Sequence, residues 1–302
     1  MIVTNNKSVK KSLIAIALIL VVSYSLVFVY SNIVGDWSGL GATTIATIYM
    51  FVPAVVTIIV QKFIYHEPLK KPLGISLKFN KWFLVAWLFP AFFAFLTLGI
   101  SFLFPGIEFS PEMAAIVEQN RTQITPEQLE QARNQIASLP VHPIWTALSA
   151  GLIAGPTINA VFAFGEELGW RGLLLKELGF MGFWKSSVII GFTWGIWHAP
   201  LILHGLNYPQ HPIAGVFMMI AVSCLLSIIL NYLTIRGRSV TVAAIAHGTI
   251  NALPFLAISV VKGGNDLTIG LTGLAGLLAM VVIIAIILVY ERIFAKKPIL
   301  VR

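Results

Sequence analysis

Long apolar runs constrain the fold of this chain more than any other feature of its sequence. Several of these runs reach about 20 residues, the length of α-helix that crosses the hydrocarbon core of a bilayer. Only 11% of the 302 residues are charged, whereas a soluble globular domain has roughly 25% charged residues. A transmembrane β-barrel would show short segments of alternating polarity instead. The sequence therefore predicts an all-α polytopic membrane protein.

Eight runs are long and apolar enough to be predicted as transmembrane helices that pack into one bundle. We find no repeat, low-complexity tract or linker that would divide the chain, so residues 1–302 are predicted to form a single integral membrane domain. The boundaries of the spans are good to a few residues. The predicted spans are 12–34, 42–64, 82–104, 143–164, 184–204, 212–235, 239–261 and 268–292.

The basic residues lie almost entirely on one side of the predicted bundle. Cytoplasmic loops of membrane proteins carry an excess of lysine and arginine, so the N- and C-termini are both predicted to be cytoplasmic. The outer segments then hold only Arg121, Arg133 and Lys262. The inner segments hold Lys7, Lys10, Lys11, Lys62, Lys70, Lys71, Lys78, Lys81, Arg171, Lys176, Lys185, Arg236, Arg238, Arg292, Lys296, Lys297 and Arg302.

This distribution also bears on the partners and the location of the protein. The net charge of +8 is explained by the loops on one side of a membrane, so the bilayer is the predicted partner and a nucleic acid is not. Compact termini without a retention signal lead us to expect a bacterial plasma membrane.

The longest polar stretch, residues 105–142, is predicted to lie on the outer side. Within it, Thr125 is a helix N-cap candidate and Pro126 would occupy the first helical position. We expect one or two short amphipathic helices here, which form either a solvated hairpin or a lid over a site.

The stretch GEELGWRG places two carboxylates and an arginine at the end of the fourth span. Ionisable groups at membrane depth are costly and usually mark a site. Glu167 and Arg171 have the i, i+4 spacing of an intrahelical ion pair. Glu166 points about 100° away from Glu167 around a helix, and is therefore free for another task. Taken alone, the stretch is also compatible with an ordinary ion pair at the membrane edge.

The stretch FTWGIWHAP places Trp194 and His198 on one face of the fifth span, since they are i, i+4 neighbours. Pro200 follows and predicts a kink just after the histidine. Irregular backbone at membrane depth is tolerated where it lines a cavity. Taken alone, His198 is better explained as a hydrogen-bonded core residue.

The stretch AIAHGTINALP places His247 and Asn251 on one face of the seventh span. Gly248 beside the histidine allows a close backbone approach. Taken alone, the two polar residues are equally well explained as an interhelical hydrogen-bonding pair.

Together the three stretches supply the groups that hydrolysis requires. A carboxylate can accept a proton from water, and a histidine can orient that water or bind a metal. A histidine and an asparagine can donate to a developing oxyanion. The chain has no nucleophile elbow, no HExxH motif and no P-loop.

The three motifs in this order resemble those of the CPBP intramembrane proteases, a family that includes CAAX prenyl proteases, Abi proteins and bacteriocin-processing or self-immunity proteins. The resemblance covers about residues 140–260. The matching motifs are Glu166-Glu167-xxx-Arg171, Trp194-xxx-His198 and His247-xxx-Asn251. The second motif departs from the family, which usually has phenylalanine where Trp194 stands. We expect this change to alter the shape of the cleft and to have little effect on the chemistry.

The resemblance implies an intramembrane endopeptidase with a cavity that opens toward the cytoplasm. Glu166 would activate a water molecule with help from His198, while His247 and Asn251 would form the oxyanion hole. Glu167, Arg171 and Trp194 would support the site. A zinc-dependent version would use Glu166, His198 and His247 as ligands. Zinc is therefore kept as an alternative, and no cofactor is assigned.

The resemblance leaves the substrate and the enzymatic activity open to alternatives. A substrate would be a membrane-associated peptide, either a prenylated CAAX protein or a bacteriocin-like precursor. The main alternative is a non-catalytic immunity or scaffold protein that binds peptides in the same cavity. A transporter is a weaker alternative, because we see no inverted repeats.

The predicted spans leave His198 roughly 20 Å from the cytoplasmic start of the fifth span. To bring the glutamates and this histidine together, we predict that residues 166–182 form an amphipathic segment near the inner face.

Overall fold

A computed structural model describes residues 2–111, 130–131, 134–135 and 138–300. Eight apolar helices pack together in this part of the chain, which confirms the predicted bundle. The helix predicted around Thr125 and Pro126 lies outside the described residues. The eight helices are α1 (Ile2–Ile33), α2 (Gly39–Ile58, continued by a π-helical turn over Ile59–Ile64), α3 (Lys81–Ser101), α4 (Pro143–Met181), α5 (Phe183–Leu203), α6 (Pro212–Gly237), α7 (Val240–Ala252) and α8 (Leu274–Ile293).

The connections between the helices form two distinct ends of the bundle. At the first, which we call the basic end, Asn80 donates to the carbonyl of Gly237 at 3.0 Å. The N-terminal part of α1 and residues 65–80, 237–239 and 294–300 lie there. The distal end holds residues 34–38, 102–111, 204–211 and 253–273. A short antiparallel pair of strands, β1 (Glu108–Phe109) and β2 (Val261–Lys262), joins two of these distal segments.

The fourth helix is much longer than the predicted span 143–164. It runs for 39 residues to Met181 and includes π-helical stretches over Gly155–Asn159 and Leu168–Leu174. Every residue of Leu168–Leu174 is buried, because α2, α5, α6 and α7 all pack against it. The prediction of an amphipathic segment near the inner face at 166–182 is therefore wrong for residues 166–174, whereas residues 175–182 are partly exposed at the basic end.

The seventh helix is shorter than the predicted span 239–261. α7 ends at Ala252 because Pro254 has no N–H to donate and disfavours helical geometry in the residue before it. The chain continues through a short 3₁₀ turn over Pro254–Ala257. The 13 helical residues are about two thirds of the roughly 20 that a membrane span needs, which leaves irregular backbone in the distal third.

Helices α4 and α7 cross with their backbones in contact at Gly248, as the sequence predicted. A Cβ atom at this position would lie 2.5 Å from the backbone nitrogen of Ala160. Neither backbone can move far, because both helices are packed on their other sides.

Gly248→Ala is expected to lower the free energy of unfolding by about 1–3 kcal/mol, the usual cost of overpacking. The matched control is Gly99→Ala, since a Cβ there meets nothing within 4 Å. Equilibrium unfolding in detergent measures both. Equal stability of the two variants would contradict the close crossing.

A buried lysine ties α1 to the basic end. Lys11 is 0% exposed, and its Nζ lies 2.5 Å from Gln61 Oε1, 2.7 Å from Glu67 Oε2 and 3.0 Å from Glu177 Oε1. Burial alone would raise the pKa of Glu67, but hydrogen bonds from Lys11 and Lys7 outweigh it and lower this pKa to about 2. Glu67 therefore contributes stability that is present above its unfolded pKa of about 4.3 and is lost as the pH falls toward 2.

Lys11→Met is expected to lower the free energy of unfolding by about 3 kcal/mol, because two carboxylates lose their buried partner. The variant should also lose less stability than the wild type when the pH is lowered through the range from about 4 to about 2. Lys10→Met is the control, since Lys10 is exposed. A Lys11→Met variant as stable as this control would contradict the assigned role.

Candidate active site

The pair of glutamates lies inside the bundle on α4. Glu166 is 3% exposed and Glu167 is 0% exposed. The Glu167–Arg171 ion pair predicted from the spacing is present, with Nη1 3.0 Å from the carboxylate oxygens. Gly165 allows α4 to pack closely against α2 beside the two glutamates, because a Cβ atom at position 165 would lie 2.7 Å from the carbonyl oxygen of Met50.

Arg171 has a second partner that the motif analysis missed. Its Nε donates to Asn231 Oδ1 at 3.2 Å, and Asn231 in turn donates to Ser187 Oγ at 3.0 Å. Asn231 lies on α6 and is 0% exposed. Its position as an amide in an apolar span was a signal that the sequence carried, since such groups usually face the interior of a bundle.

Glu167 also holds a histidine of the candidate site. His247 Nδ1 lies 2.8 Å from Glu167 Oε1, which joins α7 to α4. One carboxylate therefore positions both Arg171 and His247, whereas the sequence predicted only the first contact. With Nδ1 donating to Glu167, the orientation of the imidazole is fixed and Nε2 remains for another partner.

Trp194 contacts four of the other motif residues: Glu166, Arg171, His198 and His247. Its indole N–H donates to Glu166 Oε2 at 2.9 Å, and the guanidinium of Arg171 lies 4.5 Å from the centre of its ring. The ring of His247 meets it edge-on at 5.3 Å between centroids. The tryptophan was expected to alter only the shape of the cleft, and this interpretation is incomplete because its indole N–H also donates to Glu166.

His198 is oriented by the helix that carries it. Its Nδ1 lies 2.8 Å from the carbonyl oxygen of Trp194. A carbonyl can only accept, so Nδ1 carries the proton and the neutral ring has its lone pair on Nε2. α5 continues past Pro200 to Leu203. The proline leaves the carbonyl of Ile196 without its helical donor, and the hydroxyl of Tyr24 donates to that carbonyl at 2.7 Å.

A cavity of about 760 Å³ brings the predicted catalytic residues together. All four line its wall: Glu166, His198, His247 and Asn251. Pro254 and Ile258 also line it, so the cavity occupies the space that a full-length seventh helix would fill. Irregular backbone at membrane depth is expected where it borders such a cavity.

The cavity reaches the surface at the distal end. Its outer lining includes Leu206 and Gln210, which follow α5, and Gly263 and Gly264, which follow β2. The N-terminus lies at the other end of the bundle. The predictions of a cytoplasmic N-terminus and of a cavity open toward the cytoplasm therefore cannot both be correct.

The predicted zinc ligands do not form a metal-binding cluster. Within residues 2–111, 130–131, 134–135 and 138–300, no group of three or more His, Cys, Asp or Glu side chains is arranged to hold a metal ion. The Nδ1 atoms of His198 and His247 are already engaged by Trp194 and Glu167. These bonds leave the Nε2 atom of each histidine free, but Glu166, His198 and His247 are not grouped as zinc ligands in this arrangement.

Comparison with known proteins assigns this region to a family. Residues 140–253 match the family model described as type II CAAX prenyl endopeptidase, Rce1-like. This region resembles the CPBP family of membrane proteases. The CPBP region carries all of the motif residues, which confirms the resemblance found in the sequence.

A curated relative supports the CPBP assignment. Over 140 residues, the chain is 33% identical to CAAX prenyl protease 2 of Methanococcus maripaludis. The aligned part covers 44% of this chain and 48% of that protein, so the chain spans about half the length of the relative it matches.

Trp194→Phe restores the phenylalanine usual in CPBP proteins and removes the donor to Glu166. We expect kcat for peptide cleavage to fall about 10-fold to 160-fold, because the loss of a hydrogen bond to a charged group costs about 1.5–3 kcal/mol when that bond positions the Glu166 carboxylate. KM should change little. Trp184→Phe is the control, since the Trp184 indole donates to the carbonyl of Leu300 at the basic end. Wild-type kcat in Trp194→Phe would show that the indole N–H plays no part.

Proposed function

We propose that this chain is an intramembrane endopeptidase in which Glu166 activates water for attack on a peptide bond of a membrane-associated substrate. The observation that carries the proposal is the convergence of residues from α4, α5 and α7 on one cavity wall. The two matched comparisons, both with CAAX endopeptidases, support the same reaction class. The host membrane is proposed to be a bacterial plasma membrane.

Glu166 and His198 have the free acceptors that a water molecule needs. Glu166 Oε2 is held by Trp194, whereas Oε1 has no donor among the described protein groups. His198 Nε2 is likewise a free acceptor in the neutral ring. A water that donates to both atoms keeps a lone pair directed away from them, toward a bound carbonyl carbon. Glu166 then takes the proton as general base.

His247 and Asn251 are proposed to stabilise the oxyanion. Asn251 has an amide NH₂, and the charged form of His247 presents Nε2–H as a donor while Nδ1 remains bonded to Glu167. Donors held in place before the reaction cost no reorganisation when charge develops. The proton held on Glu166 then passes to the leaving amine, so that hydrolysis is complete without a covalent intermediate.

The substrate is proposed to be a peptide that is itself bound to the membrane. The lining of the cavity is largely apolar, with the polar groups concentrated at the catalytic wall and at the distal mouth. Both a lipid-modified peptide and an unmodified apolar segment are compatible with this lining. The relative's name supports the first class, and the resemblance to bacteriocin-processing proteins supports the second.

The purified protein in lipid vesicles tests the proposal directly. A panel of peptides, each made with and without a C-terminal prenyl group, is incubated with the protein, and new peptide ends are identified by mass spectrometry. We expect cleavage of at least one peptide, and we expect it to persist in the presence of a metal chelator. Saturable binding of peptides without cleavage would instead establish a non-catalytic peptide-binding protein.

A further inference from the structure

We infer that the active-site cavity opens on the extracytoplasmic side of the membrane, so that its substrate is a peptide presented from that side. A prenylated C-terminus on the cytoplasmic surface would not reach the site. The identity of the substrate rests on the proposed function, whereas the direction of the opening rests on structure and charge alone.

The distal end is the open end of the site. Gln210 and Gly264 are exposed residues of the cavity lining, and each belongs to a distal connection. Asp266 ties these two connections together, because its Oδ2 accepts from the backbone N–H of Gln210 at 2.7 Å. Its Oδ1 lies 2.6 Å from His211 Nδ1. The mouth of the cavity is thus an ordered rim.

The catalytic groups lie nearer to the distal end than to the basic end. His198 is five residues before the distal end of α5 at Leu203, roughly 8 Å along the axis, and fifteen residues after Phe183, roughly 22 Å. Asn251 is the second-last residue of α7, which also ends toward the distal side. Water therefore has a short path to the site from the distal surface.

The basic end carries nearly all of the surface cations. Among the described residues outside the bundle interior, Lys262 is the one lysine or arginine at the distal end. Its Nζ lies 3.4 Å from Glu108 Oε2. Arg171, which the sequence analysis counted with the inner loops, is buried in the bundle at 3% exposure. Loops rich in lysine and arginine remain in the cytoplasm when a membrane protein is inserted. The distal mouth is then extracytoplasmic.

The two sequence predictions that conflict can now be ranked. The prediction of a cytoplasmic N-terminus rests on the positive charges of this chain, and every connection at the basic end contributes to them. The prediction that the cavity opens toward the cytoplasm rests on the resemblance to a family, and not on any residue at the mouth of the cavity. The chain's own charges therefore decide the orientation.

Labelling of single cysteines tests the orientation without any measurement of activity. In a Cys224→Ala background, which removes the one native cysteine, Gln210→Cys is introduced at the mouth and Lys70→Cys at the basic end. Both native side chains are exposed. Spheroplasts of the expression host are treated with a membrane-impermeant maleimide, and a second sample is treated after lysis.

We expect Gln210→Cys to be labelled in intact spheroplasts and Lys70→Cys to be labelled only after lysis. The reverse pattern would overturn the inference, and so would equal labelling of both in intact spheroplasts, which indicates mixed orientation. Labelling of both variants after lysis confirms that each cysteine is reactive in the folded protein.

A vesicle assay then tests the side from which the substrate arrives. A peptide that the purified protein cleaves is added to sealed right-side-out or inside-out vesicles. We expect cleavage in right-side-out vesicles only, and cleavage restricted to inside-out vesicles would overturn the inference. A protein that cleaves no peptide would contradict the proposed function but would leave the labelling result standing.

Discussion

Glu166→Gln is expected to lower the rate of peptide cleavage by about 100-fold to 10,000-fold, the range that is typical for the loss of a general base. Glutamine has nearly the same shape and can still accept a hydrogen bond from the Trp194 indole through its carbonyl oxygen. It cannot take a proton from water. We therefore expect peptide affinity to stay close to that of the wild type while single-turnover cleavage is lost.

Glu108→Gln is the matched control for this experiment. It makes the same chemical change on β1 at the distal end, where Glu108 has an exposed side chain. Its cleavage rate should equal that of the wild type. If Glu166→Gln cleaved as fast as Glu108→Gln, another group would have to activate the water.

Glu167→Gln is expected to lower the free energy of unfolding by about 3–5 kcal/mol, the usual cost of removing one member of a buried ion pair. Arg171 would remain charged in the interior with only the Asn231 amide as a strong partner. His247 would lose the carboxylate that fixes its Nδ1. Unfolding by denaturant in detergent measures the change.

A second substitution separates the ion pair from the other effects of this change. Glu167→Gln combined with Arg171→Met removes both charges, so it should be more stable than Glu167→Gln alone. Lys262→Met breaks the exposed pair with Glu108 and is expected to cost less than about 1 kcal/mol. If Glu167→Gln were no more destabilising than Lys262→Met, the buried network would not support the site.

The bundle and the candidate site were largely predictable because their signals are local. Apolar runs of the right length predict spans, and i, i+4 spacing places His247 and Asn251 on one face of α7. The ion pair between Glu167 and Arg171 follows from the same rule and is present in the structure. The convergence of the motifs in one cavity was predictable because polar groups at membrane depth face the interior of the protein and not the lipid.

The remaining features depend on contacts between distant parts of the chain. Glu167 binds His247, which is 80 positions away in the sequence, and no local pattern predicts that pairing. Residues 166–182 were predicted to be interfacial so that the glutamates would lie near His198, yet Glu167 and Arg171 form an ion pair inside the bundle. Local hydropathy cannot separate a buried ion pair from an interfacial one.

The direction of the cavity depended on where one helix ends. Pro254 terminates α7 before it has crossed the bundle, and the space beyond it becomes the path to the distal surface. The sequence contains that proline, but the predicted span ran through it because the flanking residues are apolar. A proline in an apolar run next to a polar motif is therefore a signal that the helix ends there and that irregular backbone borders a cavity.

Hydrolysis in water labelled with heavy oxygen tests the central claim most directly. In a single turnover of the purified protein in lipid vesicles, the new C-terminal carboxylate of the product should carry one labelled oxygen. The Glu166→Gln variant should give no labelled product over the same interval, although it binds the peptide. An uncleaved peptide with the wild type, or equal labelling by the two proteins, would contradict the account.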